Sequence, residues 1–395
     1  MEPARPKHNV KKTIVNIGVI GIGRAGIQTL ANIPKEQLAS IRFLYADADP
    51  LLLEQYPPEQ TIWLGDRDFN EALGGAGTPT LGRLAAQNAT AALKRALAKT
   101  RLLILTGGLG GATATGALPV VGQIARELGI LTVALVTLPF AIEGTTRKAQ
   151  AQAGLQALRE HVDAYVVVSN DKLLNLYPDL VMVDAFQLTN NVLKNCIKAL
   201  TDLMLKTSLI NLDFADLQQA LQNRGETHLS FGSGLGPNKV ARAIAEALQF
   251  KFIDAPVKTW SNVVVNIVAD ASVSLHQADE ISQRLRSQMP PTATLVFGFD
   301  VNPQLKNEVR ITILATASAA ATAATAASSD PEAASMHDTL IRIGNTLELE
   351  LSGQQPLEPA QGNAEELSFL NEELGDENIL IEADENDDEV PFFLK

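Results

Sequence analysis

Two glycine-rich stretches hold the residues best suited to chemistry. The first, GVIGIGRAGIQ, sets Gly21, Gly23 and Gly26 in a G-x-G-x-x-G pattern behind an apolar run, with Asp47 following. Such a pattern opens many dinucleotide-binding domains, where glycines let the backbone approach a pyrophosphate and an acid about twenty residues on holds a ribose. The second, TGGLGGATATGALPVV (106–121), lies between a strand-like run and a helix-like one. Gly110, Gly111 and Gly116 let backbone N–H groups close on an anion, and Thr113 and Thr115 can add hydroxyl donors. No G-x-x-x-x-G-K-[ST] occurs, so the loop is not a P-loop; the plainer alternative is a tight strand-to-helix turn. Asp213 and Asp216, three apart in NLDFAD, would share a helix face, or Asn211 or Asp213 would simply cap the helix beginning there.

Both loops must be held by strands. Apolar runs at 13–22, 41–47, 101–107, 131–137 and 164–169 alternate with helical patterns at 81–99 and 117–129. Strands buried on both faces and linked by helices predict a parallel doubly wound sheet, with ligands at the carboxyl ends of the strands. Both loops fall at such ends, as do Asp47, Pro139 and Asn170. A longer helical pattern at 183–206 follows, then strands at 228–234, 262–270, 294–301 and 308–316 with one helix at 276–289, which predict a smaller α+β domain.

The chain of 395 residues carries a formal charge of −13 and one cysteine, Cys196. From Gln361 to Lys395 there are twelve acids and one base, so the tail holds −11 and the rest only −2. No clustered basic face invites nucleic acid, and no run is long enough to insert into a membrane. The basic N-terminus lacks the apolar core of a signal peptide. A lone cysteine suits a reducing compartment, and five scattered histidines without ligand spacing predict no protein-built metal site. From 318 to 386 the low-complexity and acidic composition predicts a disordered linker, although MHDTLIRIGNTLELELSG (336–353) has strand-like alternation. The final DDEVPFFLK turns apolar again, as a docking peptide or a merely sticky terminus would.

Several of these stretches together resemble the tubulin/FtsZ family of GTPases. GGLGGATATGALPVV is similar to that family's G-G-G-T-G-T-G signature loop. PFAIEGTTRKAQAQAGLQALREHVDAYVVVSNDKLL (139–174), DAFQLTNNVL (184–193), NLDFADLQ (211–218) and VFGFDVNPQLKNEVRITILAT (296–316) carry the likeness through residues 13–317, and VPFFL (390–394) extends it to the tail. The resemblance implies a flexible arm at 1–12, a Rossmann-like GTP-binding domain at 13–182, a connecting helix at 183–207, an α+β domain at 208–317 carrying the catalytic loop, the linker at 318–386 and a docking peptide at 387–395.

By matching positions, it also implies that Gly21, Gly23, Arg24 and Gly26 line one phosphate loop and that Gly110, Gly111, Ala112, Thr113, Ala114, Thr115 and Gly116 cradle the phosphates. Gly75 and Ala76 would sense the γ-phosphate, and Glu143 and Arg147 would meet ribose and nucleotide, although the same two residues could be an ordinary i,i+4 helix pair. Asn170, Phe186 and Asn190 would form the base site. Asp213 and Asp216, with Asn211 positioning water or nucleotide, would complete a neighbouring subunit's site, making hydrolysis dependent on assembly. The implied ligands are GTP and GDP with Mg2+, and the implied partners are further copies of the chain in a head-to-tail filament. A membrane-anchoring division adaptor would be held by Val390, Pro391, Phe393 and Leu394, placing the protein in the cytoplasm at the inner membrane face of the division site.

Some residues depart from the family pattern. Ala112 and Ala114 replace glycines; if either needed a left-handed backbone, alanine would cost about 1–2 kcal/mol. Otherwise their methyls would crowd the phosphates. Arg24 either adds charge beside the phosphates or points to solvent. From these loops we expect altered hydrolysis or exchange, with a weakly catalytic scaffold as the alternative. An NAD-dependent dehydrogenase remains the reading of the first loop alone, and it leaves NLDFAD and the tail unexplained.

Overall fold

Runs rich in Ile, Leu and Val set the strands, because β-branched and long apolar chains fill a sheet covered on both faces. The computed structural model describes residues 16–33, 41–65, 77–176, 181–205, 209–210, 212–248 and 260–317, all within one structural unit. Its first strands are β1 (Ile17–Ile22), β2 (Ile41–Asp47), β3 (Thr61–Trp63), β4 (Leu102–Gly108), β5 (Leu131–Leu138) and β6 (Ala164–Ser169). They are parallel and lie in the order β3-β2-β1-β4-β5-β6. Strand order reverses between β1 and β4, and a crevice is expected at the carboxyl ends there.

Helices α1 (Gly23–Ala31), α2 (Pro50–Leu53), α3 (Pro79–Asn88), α4 (Thr90–Leu97), α5 (Ala112–Glu127), α6 (Thr145–Arg159) and α7 (Asn170–Leu176) connect these strands. The single helix expected over 81–99 is broken at Ala89, where the Thr90 hydroxyl donates to the Gln87 carbonyl at 2.6 Å. Such local side-chain bonds compete with helix propagation. The second glycine loop supplies the first turn of α5, so that helix begins five residues earlier than its apolar pattern suggests, at Ala112 rather than 117.

Helix α8 (Met182–Leu205) follows, 24 residues long. Its apolar stripe of Val192, Leu193, Cys196, Ile197, Leu200, Leu203 and Met204 enters a cluster that also holds Val19, Ile104 and Leu135 from the parallel strands. The same cluster reaches Phe231, Val264 and Leu314 of the later strands, so one helix packs against both parts. Then come α9 (Phe214–Leu221), β7 (Gly225–Leu235), α10 (Lys239–Leu248), β8 (Trp260–Ala269), α11 (Leu275–Gln288), β9 (Thr294–Val301) and β10 (Glu308–Ala317). β10 lies between β7 and β8 and is antiparallel to both, while β8 and β9 are parallel. Two residue pairs, Ala164 with Gly225 and Tyr165 with Glu226, join β6 to β7 and make one ten-stranded sheet.

A buried ion pair fixes one end of this later half. Lys239 Nζ donates to Asp270 Oδ1 at 2.6 Å and to the Ser272 hydroxyl at 2.6 Å, and the Asn307 N–H reaches Asp270 Oδ2 at 3.2 Å. Burial opposes the charge on Asp270, yet the Lys239 and Ser272 hydrogen bonds hold its carboxyl below the usual range. The tail from 318, with Val390, Pro391, Phe393 and Leu394, lies outside the described residues, as do the arm at 1–12 and residues Gly75, Ala76 and Asn211.

Candidate nucleotide-binding site

At the carboxyl ends of β1, β4, β5 and β6 lies a cleft with two lobes that share Ala25, Gly108 and Arg147. The smaller lobe, about 100 Å³, is lined by Pro139, Glu143, Asn170, Phe186, Thr189 and Asn190, among others. Helical spacing places Phe186, Thr189, Asn190 and Leu193 along one stripe of α8, facing this lobe. Phe186 is 43% exposed, lines the lobe, and lies perpendicular to the buried Phe140, with ring centroids 5.3 Å apart. Asn170 and Asn190 are buried and polar, and each meets a threonine hydroxyl.

The larger lobe, about 470 Å³, has four glycines in its wall, Gly23, Gly77, Gly108 and Gly111. Gly23, Arg24, Gly77, Gly111, Ala112, Thr113 and Ala114 line it, opposite Asp47 and Asp49. Two helices start here, α1 at Gly23 and α5 at Ala112, and neither has a side-chain cap nor an acid in its first turn. Uncapped helix starts present N–H groups and positive dipole ends, which suits this lobe to an anion.

The glycines of the two motifs do different work. Gly23 has φ +73 and lines the lobe, whereas Gly21 and Gly26 are packing positions. A Cβ on Gly21 would come 2.5 Å from the Gly26 carbonyl oxygen, and one on Gly26 would come 2.4 Å from the Thr106 carbonyl oxygen. Gly116 likewise lets α5 lie against α3, since a Cβ there would sit 2.0 Å from the Pro79 carbonyl oxygen. Gly110, at φ +103, lets the Arg147 side chain cross the loop, a Cβ there meeting Arg147 Cγ at 2.9 Å.

Thr115 does not face the cleft: its buried hydroxyl accepts from the Gly110 N–H at 2.8 Å and shapes the loop. Thr113 does line it. Ala112 and Ala114 are ordinary helical residues of the first turn of α5; among the described residues only Asn223 and Asn307 have positive φ without being glycine. The strain foreseen for alanine there is absent. The Ala114 methyl is buried in the space left by Gly23 and Gly107, where added Cβ atoms would meet it at 3.2 Å.

Glu143 Oε1 accepts from the Phe140 N–H at 2.8 Å and Glu143 Oε2 pairs with Arg147 Nη1 at 3.1 Å, so the i,i+4 pair exists and lines the cleft as well. Arg24 is exposed and edges the larger lobe, near enough to Asp47 to favour its charge. Burial nevertheless pushes the Asp47 carboxyl above its ordinary value, partly offset by N–H groups of Asp49 and Ala48.

Asp213 and Asp216 line neither lobe. Asp213 is the N-cap of α9 and Asp216 its third residue: the Asp216 N–H donates to Asp213 Oδ1 at 2.8 Å and the Asp213 N–H to Asp216 Oδ2 at 3.0 Å. This reciprocal capping box holds the acids rigidly where the chain leaves α8. At 1.5 Å per residue, the end of α8 at Leu205 is roughly 22 Å along the axis from Asn190.

Two family models match this arrangement: the GTPase domain of the tubulin/FtsZ family over residues 16–178 and the C-terminal domain of the FtsZ family over 225–319. The cell division protein FtsZ of Mycoplasmopsis pulmonis is 30% identical over 388 residues, 96% of each chain. The chain belongs to the FtsZ family. FtsZ 1 of Archaeoglobus fulgidus is 32% identical over 305 residues, covering 77% of this chain and 82% of its own. The empty FtsZ dimer from M. jannaschii superposes with a TM-score of 0.71 at 30% identity, over 78% of this chain and 90% of that one. The cleft therefore lies in an FtsZ-family GTPase domain, a domain that implies binding of GTP and GDP.

The motif reading missed Thr29, Thr189 and Asp49. Thr189 was legible as the residue between Phe186 and Asn190 on one helical stripe, whereas Thr29 reaches Asn190 across 161 residues and carries no local signal.

Proposed function

We propose that the chain is a cell-division GTPase that polymerises head to tail and hydrolyses GTP between subunits. The observation that carries this reading is the separation of a nucleotide cleft from a rigid pair of acids at the far end of α8. One chain holds the base, ribose and phosphate positions but not the acids; a second copy stacked on the first would bring Asp213 and Asp216 to the nucleotide. There a carboxylate would orient and polarise the attacking water, while the helix N-termini stabilise charge gathering on the phosphates. Asn211 would assist, and Gly75 and Ala76 would sense the γ-phosphate.

In the base lobe, Phe186 would stack on guanine, with Asn170 and Asn190 along its edge. Glu143 would accept from ribose hydroxyls while Arg147 meets phosphate oxygens. Mg2+ is consistent with the larger lobe, where Asp47 and Asp49 offer hard oxygen donors beside the phosphate position; bound there, it would neutralise phosphate charge. The apolar end of the acidic tail, with Val390, Pro391, Phe393 and Leu394, suits the groove of a membrane-anchoring adaptor, which would hold the filament at the division site. The helical geometry of Ala112 and Ala114 removes the reason to prefer a non-catalytic scaffold.

Mixing two inactive variants tests the shared site. Asp213→Asn keeps a good N-cap while removing the carboxylate, and should lower GTP turnover by about 10²–10⁴-fold. Arg147→Ala damages the cleft. Mixed together they should regain part of the turnover, since some interfaces pair an intact cleft with an intact Asp213. Parental turnover in Asp213→Asn, or mixtures no better than their components, would overturn the proposal.

A further inference from the structure

Two threonines stand behind the two base-lobe asparagines in the same geometry. On α1, the Thr29 hydroxyl lies 3.0 Å from the Ala25 carbonyl oxygen and 3.1 Å from Asn190 Oδ1. On α8, the Thr189 hydroxyl lies 3.1 Å from the Ala185 carbonyl oxygen and 3.1 Å from Asn170 Oδ1. All four side chains are buried, so unmet polar atoms here are costly. A hydroxyl has one proton, and each of these faces two acceptors. A threonine hydroxyl inside a helix characteristically back-bonds to the carbonyl four residues earlier, and that assigns the proton to the carbonyl. What remains toward the asparagine is lone pairs.

An asparagine can answer either way, because its amide oxygen and nitrogen are nearly isosteric. With the nitrogen turned to the threonine, both contacts become proper hydrogen bonds, and the amide oxygen takes the nitrogen's place. Neither amide nitrogen has another hydrogen-bond partner among the described residues, so nothing opposes the exchange. We infer that Thr29 and Thr189 are positioning residues that lock Asn190 and Asn170 with their carbonyl oxygens free for the ligand. The base lobe then offers acceptors to an edge rich in donors. Guanine presents such an edge, through N1–H and its 2-amino group; adenine presents an acceptor at N1 and no 2-amino group.

This inference rests on the cleft being a guanine-nucleotide site, and competition binding separates the two claims. A fluorescent GDP analogue is displaced by GDP, by IDP, which lacks only the 2-amino group, and by ADP. The parent should prefer GDP over IDP and ADP. In Thr29→Val/Thr189→Val, which keeps side-chain shape but frees both amides to turn, the preference for GDP over IDP should fall about tenfold. Thr29→Ser and Thr189→Ser keep the hydroxyls and should retain the parental preference. An unchanged ratio in the double valine variant, or an equal loss in the serine variants, would overturn the assignment to the hydroxyls alone. A parent that binds GDP no better than ADP would overturn the guanine site and this inference together.

Discussion

The two lobes of the cleft are built by different means. The base lobe is a set of side chains: an aromatic face on Phe186 and two amides set by threonines. The larger lobe is rich in glycine, bounded by two helix starts and shaped by glycines that work at a distance, such as Gly26 and Gly116. A side-chain site can be retuned one residue at a time, whereas a backbone site changes only when the fold around it changes. Substitutions in the two lobes should therefore fail differently.

The largest expected effect comes from Gly26→Ala, which never touches a ligand. The new methyl would overlap the Thr106 carbonyl oxygen and push α1 off β4, costing about 3 kcal/mol or more of folding stability. Denaturant unfolding should show that loss before any nucleotide is added. Phe186→Ala is the opposite case. Its ring is 43% exposed, so stability should hold, while lost stacking should weaken GDP and GTP alike by about 1–3 kcal/mol in equilibrium binding. Were Phe186→Ala to unfold the protein instead, the contrast between the lobes would be wrong.

The smallest effect probes the one buried carboxylate of the backbone lobe. Because the folded carboxyl of Asp47 titrates above its ordinary value of 3.8, the folded chain binds its proton more tightly than the unfolded chain. Its contribution to stability thus worsens as pH rises through that window and stays unfavourable at neutral pH. Asp47→Asn, which can still accept the Asp49 N–H, should be more stable than the parent at pH 7 by about 1 kcal/mol. That advantage should shrink as pH falls through the raised value and vanish only well below 3.8, as melting curves across the range would show.

The same contrast governs what could be read in the sequence. The parallel sheet and the places of Gly23, Thr113 and Asn170 follow from apolar runs that end in polar or glycine residues. Their neighbours in space are ends of parallel strands, which the alternating pattern predicts. Asn190, inside a long helix, comes only from the family resemblance. Gly21, Gly26 and Gly116 were legible as glycines but not in their work, because the motif names a loop and says nothing of which Cα faces a neighbouring backbone. Thr115 carries a hydroxyl suited to phosphate, yet the loop's own need for a partner at the Gly110 N–H claims it. Ala112 and Ala114 suggested strain only while their backbone was unknown; as helix residues they carry none.

The strand that closes the described chain has a consequence for how the protein is made. β7 and β8 do not pair with each other; β10, at 308–317, sits between them and pairs with both. A chain leaving the ribosome has its first six strands, and hence the nucleotide cleft's walls, long before the later sheet can close. Domains made early can settle early. Until residue 317 emerges, the edges of β7 and β8 wait open, and the half that carries Asp213 and Asp216 is the last to become itself.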